Sequence, residues 1–187
     1  VLEYELGMAI QELLAAHEED EDEGHDHGKA PIAFAVDGFL ERALQEIHPA
    51  YAKLVKHFEA DRLDEARQAG RALAGSADPY VAAHASLILA EIAFREASKE
   101  DPTPATEVEE AYKPVIRACE TLIEKDRLYL IRDYRACELI ALCFEKLDKP
   151  LFEFVQYAIL LTDYNDLPAP VQARVRGRLA LLNQKAG

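Results

Sequence analysis

Basic residues are in short supply: 21 Lys and Arg stand against 35 Asp and Glu, a formal charge of −14. Affinity for nucleic acid comes from neutralising phosphates with Lys and Arg. This balance excludes a nucleic-acid partner and suits a basic protein or peptide, or a cation. No window approaches the ~20 apolar residues a bilayer-crossing helix needs, which excludes a membrane span. No stretch sustains period-two alternation, so no sheet is expected. Cys119, Cys137 and Cys143 include no CxxC pair, and an odd count leaves a thiol unpaired in a monomer. A reducing compartment, the cytoplasm, is therefore expected, although the chain opens on Val1 rather than methionine, which leaves room for a removed leader. Phosphate-cradling loops, GxGxxG turns and GxSxG elbows are also missing. No catalytic residue is nominated, and the chain is read as not an enzyme.

What remains is apolar spacing of helical period almost throughout. Half of the 187 residues are apolar and 30% are charged, a globular composition, and a chain of this length can hide roughly 70% of its unfolded surface in one domain. Leu2, Leu6, Ala9, Ile10 and Leu13 share one face of a first predicted helix. Past Gly28 and Pro31, a second carries Ile32, Val36, Leu40, Leu44 and Ile47, and Pro49 breaks the pattern because it lacks an amide donor. Tyr51, Leu54, Val55 and Phe58 form a third stripe; Leu63, Ala66, Gly70 and Leu73 form a fourth.

Asp78 and Pro79 read as an N-cap and first helical residue, opening a helix through Leu89, Ile92 and Phe94. Lys99 to Ala105 reads as a linker, with Thr106 and Glu109 as a capping box for the helix of Val108, Tyr112, Val115, Cys119 and Leu122, where Pro114 is expected to kink the chain or shift the start. A helix from about Leu128 to Leu147, apolar on two faces, is expected to lie between neighbours. Leu151, Phe154, Val155, Ala158, Ile159 and Leu161 form the next inward stripe. Val171, Val175, Leu179 and Leu182 form the last, with Arg174, Arg178 and Lys185 on a solvated capping face.

Phe58-Glu59, Phe94-Arg95 and Phe144-Glu145 recur near the ends of three presumptive first helices, at intervals of 36 and 50. The stretch Asp61-Arg62-Leu63-Asp64-Glu65-Ala66 resembles the inter-helix turn of tetratricopeptide repeats, whose period is about 34 residues. Ala66 stands at the small position where two helices approach closely, and Leu89-Ala90 and Ile140-Ala141 resemble the family's leucine-glycine pair. Gly70 departs from the pattern where an aromatic is expected. The resemblance covers roughly residues 49–165.

It implies an all-α fold: antiparallel helix pairs stacked as a short tetratricopeptide-like solenoid of about nine helices. In this reading residues 1–187 form a single helical-repeat domain. Residues 1–48 are an N-terminal helical extension with an acidic, His-containing loop at 17–30, and 49–187 are the repeat body. The family further implies a non-catalytic scaffold whose groove holds a protein or peptide. By position, the candidate groove residues are Lys53, His57, His84, Glu91, Arg135 and Glu138; each also reads as an ordinary polar residue on a packed helix.

One alternative is metal binding or delivery. His17, His25, Asp26 and His27, with six acidic residues from Glu18 to Glu23, have the ligand types a divalent transition metal takes. The spacing matches no zinc signature, and Glu21 occupies the place of the second histidine of a metalloprotease helix. The competing reading is a solvated loop of mutually repelling charges. The scaffold needs no cofactor. The cysteines read as small core hydrophobes, and Arg132, Arg135, Arg174, Arg176 and Arg178 as an exposed basic face.

Overall fold

Helix is the only regular structure among the described residues of the computed structural model, which are 32–100, 105–164 and 167–186. Eight α-helices follow one another: α1 (Ile32–Ile47), α2 (Pro49–Glu59), α3 (Leu63–Leu73), α4 (Pro79–Glu100), α5 (Ala105–Thr121), α6 (Tyr134–Lys146), α7 (Pro150–Asp163) and α8 (Ala169–Ala186). The expected helix at Leu2 to Leu13 lies outside the described residues. No described helix is long and apolar enough to cross a membrane.

Proline starts several of these helices because the first helical amide has no intrahelical partner to lose. Pro49 and Pro150 open α2 and α7. At α4, the Asp78 carboxylate accepts from the N–H groups of Tyr80 at 2.9 Å and Val81 at 3.2 Å, the cap the sequence predicts. Asp78 also meets His48 Nε2 at 3.1 Å, joining the α1–α2 junction to the head of α4.

Two turns are built alike. After α2, Asp61 takes φ 54° while Arg62 N–H donates to the His57 carbonyl and Asp61 N–H to that of Phe58. After α6, Asp148 takes φ 50° while Lys149 N–H donates to Phe144 and Asp148 N–H to Glu145. This double bond pattern satisfies the last carbonyls of a helix, and aspartate tolerates the left-handed conformation better than most residues. The equivalence pairs Asp61 with Asp148, so Phe58 and Phe144 are one position out of step. At the middle member of the expected repeat, α4 continues past Phe94 to Glu100.

Each helix packs on the next, and α2 also touches α4, as α4 touches α6. Three core clusters result. Leu44, Tyr51, Leu54, Ala66, Val81 and Ile92 fill the first; Tyr112, Val115, Cys119, Leu139 and Cys143 belong to the second; Tyr157, Leu160 and Val175 belong to the third. Ala66 is fully buried, as its place at a close helix contact requires. α6 is enclosed by α4, α5 and α7, the sandwiched position its two apolar faces predict.

Four expectations are corrected. The helix expected from Leu128 starts at Tyr134: α5 widens into a π-turn segment (Leu122–Asp126), tightens into a 3-10 turn (Arg127–Tyr129), and leaves Leu128 88% exposed. α5 begins at Ala105, so Thr106 sits inside the helix, and Lys99 and Glu100 belong to α4 rather than a linker. α5 does not start downstream of Pro114 but runs through it, on the exposed side, where the carbonyl left without that donor can turn to water. On α7 the inward face is Glu153, Tyr157 and Leu160, whereas Leu151 is 71% exposed and Val155 also faces out. A buried carboxylate sets that phase, and an apolar count cannot foresee it.

Candidate functional site

A cleft of about 350 Å³ opens where α1, α2, α4 and the start of α6 converge. α2 contributes Tyr51, Val55, Phe58 and Glu59; α4 contributes His84, Leu87, Ile88 and Glu91; Arg132, Tyr134 and Arg135 close the far side. Glu41 and Gln45 of α1 form one lip. Apolar walls come from the stripes that build the core, since Tyr51, Val55 and Phe58 along α2 and Leu87 and Ile88 in the middle of α4 border the opening as well as the packed centre.

The charges in the cleft are largely paired. Arg132 meets Glu41 at 2.7 Å, and Arg135 meets Glu91 at 3.2 Å. Arg135 also holds Glu138, which is 0% exposed and is gripped from the other side by Arg174 of α8. Glu59 on the outer rim forms no ion pair among the described residues, so acid exceeds base along the opening.

Two polar side chains form the floor. His84 is 4% exposed, and its Nε2 accepts the backbone N–H of Ile131 at 3.0 Å. An accepting Nε2 assigns the ring proton to Nδ1. Burial, with a smaller contribution from Arg132, pulls the imidazole pKa down to about 4, so the ring is neutral at pH 7. Tyr51 is 5% exposed and packs edge-on against His84 with ring centroids 6.0 Å apart. Its phenol is pushed well above the ordinary tyrosine range by burial and then by Glu41 and Glu91, so it too keeps its proton.

Of the six residues nominated by position, His84, Glu91 and Arg135 line this cleft. Glu138 lies beneath it, wholly buried between two arginines. Lys53 and His57 do not line it: they fall two residues out of phase with Tyr51, Val55 and Phe58–Glu59, on the other side of α2. Tyr51 and Phe58 belong by spacing to a core stripe, and an aromatic at the edge of a buried stripe is where a groove and a core meet. His17, His25, Asp26 and His27 lie outside the described residues. Among those described, no three His, Cys, Asp or Glu side chains gather as a metal site would require.

The arginines read as an exposed basic face are mostly committed to carboxylates. Besides the pairs above, Arg178 holds Glu153, 2% exposed, through both of its carboxylate oxygens, and meets Glu145 at 3.5 Å.

A second cleft, of about 400 Å³, lies between the end of α5, α6 and α7. Several of its polar groups have partners: the Cys137 thiol donates to Gln156 at 3.5 Å, and Arg127 pairs with Asp133 at 2.8 Å and lies over the Tyr164 ring. All three cysteines are free and buried, and burial raises their pKa values, to about 11 for Cys137, about 12 for Cys143 and higher still for Cys119. A thiol held in that state is a poor nucleophile.

Among the described residues, fold and site together define an all-helical arrangement with an aromatic, polar-floored cleft. Comparison with protein families, curated proteins and solved structures finds no match.

Proposed function

We propose that the protein is a non-catalytic scaffold that holds a basic peptide segment of another protein in the cleft between α2, α4 and α6. The observation that carries this reading is the convergence of three alternate helices on one opening. In a tetratricopeptide-like stack, α2/α3, α4/α5 and α6/α7 would be the pairs, and their first helices would line the groove. That α2 touches α4 and α4 touches α6 supports this arrangement. The basic character of the peptide rests on the charge of −14 and on Glu59, which lies at the rim without an ion pair among the described residues.

Selection of a random peptide library on the immobilised protein tests the proposal. Lys- and Arg-containing sequences should be enriched and bind saturably, and Glu59→Lys should weaken them about fivefold, the effect of roughly 1 kcal/mol at a surface charge. An unenriched library, or enriched peptides indifferent to every cleft substitution, would remove the reading.

A further inference from the structure

The floor of the cleft holds two hydrogen-bond donors that the protein leaves open. Nδ1–H of His84 and the hydroxyl of Tyr51 have no acceptor among the described residues, although both side chains are more than nine-tenths buried and both line the opening. An unmade hydrogen bond on a buried group is costly, and neither group is among the polar atoms sealed away without a partner. The open donors therefore reach the cleft itself.

We propose that Tyr51 and His84 form a two-donor seat for a main-chain carbonyl of the bound peptide, an inference that rests on the peptide-holding reading above. Both donors are neutral at pH 7, since burial holds the imidazole deprotonated and the phenol protonated. The charges around them are matched, Glu41 with Arg132 and Glu91 with Arg135, so a carboxylate would find little net positive potential to offset the loss of its water. A neutral carbonyl loses less on leaving water and takes up both donors. The walls at Val55, Phe58 and Ile88 then have room for an adjacent apolar side chain.

The imidazole reports directly on such a seat. With ¹⁵N-histidine in the full chain and the His84 signals assigned through His84→Gln, the free protein should show the Nδ1–H tautomer. N-methylacetamide should then move the Nδ1 resonance saturably and leave Nε2, held by Ile131, nearly still. Tyr51→Phe, which removes one oxygen and keeps the ring, should weaken that response about fivefold. An Nε2–H tautomer, an unmoved Nδ1, equal responses in wild type and Tyr51→Phe, or acetate acting at lower concentration than the amide would each overturn the proposal. The probe needs no peptide sequence, so the two readings fail separately. An amide response beside an unenriched library keeps the seat and removes the scaffold; peptides that bind Tyr51→Phe unchanged, with no amide response, do the reverse.

Discussion

The backbone N–H of Ile131 donates to Nε2 of His84 across 47 residues of sequence, and this bond fixes the irregular segment before α6 against the middle of the chain. It holds only while the imidazole is neutral, because a protonated ring has no lone pair to accept with. Folding lowers the pKa of His84 from its ordinary 6.5 to about 4, so between those values the unfolded chain binds more protons than the folded one. Stability should fall as pH drops through this window, on the order of 2 kcal/mol between pH 6.5 and 5. Urea midpoints at the two pH values measure it; His84→Gln should have a flatter slope, and an equal slope would refute the linkage.

A sharper test concerns α8. Glu153 is buried on α7, and Arg178 meets both of its oxygens. Arg178→Ala would strand that carboxylate and should destabilise by about 3 kcal/mol, whereas the double change Glu153→Met/Arg178→Met should recover much of the loss. Arg174→Ala should cost less, since Glu138 retains Arg135. Chemical denaturation of the four proteins gives the ranking, and a double variant weaker than Arg178→Ala would contradict it.

Much of the fold could be read from the sequence, for a physical reason. Helix phase follows from apolar spacing, and the breaks at Pro49, Asp78-Pro79 and Pro150 are backbone chemistry, so both survive in one dimension. What escaped is set by pairing across the chain. Glu153 faces inward where Arg178 meets it, and the irregular segment before α6 is tied down where Ile131 donates to His84. The cleft was half legible for the same reason: His84, Glu91 and Arg135 stand at positions a helical groove would offer, whereas Tyr51 does double duty as core and floor.

The thiols offer a check on burial. Cys119, Cys137 and Cys143 should resist a disulfide reagent at pH 7.5 in the native protein and all three should titrate in denaturant. Rapid modification of any one before unfolding would place it nearer the surface than the packing allows.

At Gly70 α3 lies close against α4: a Cβ built there lies 2.9 Å from Leu89 Cδ2 and 3.0 Å from Cγ. Alanine would gain about 1 kcal/mol of helix propensity, offset by the displacement of Leu89, which is only partly buried and can move. Gly70→Ala should therefore stay within about 1 kcal/mol of wild type. Gly70→Phe, the aromatic of the repeat pattern, should lose about 2–3 kcal/mol by overpacking. Thermal melts distinguish the two, and a phenylalanine variant as stable as the alanine one would mean that the helices yield more readily than the contact suggests.

Arg174 and Arg178 lie one turn apart on α8 and grip carboxylates on two different helices. The C-terminal helix is thus riveted within a single turn, beside the apolar stripe of Val171, Val175 and Leu179. Its last two turns lie beyond both rivets and can fray without exposing either carboxylate. Amide exchange along α8 should consequently be slowest around residues 174–178 and faster toward Ala186.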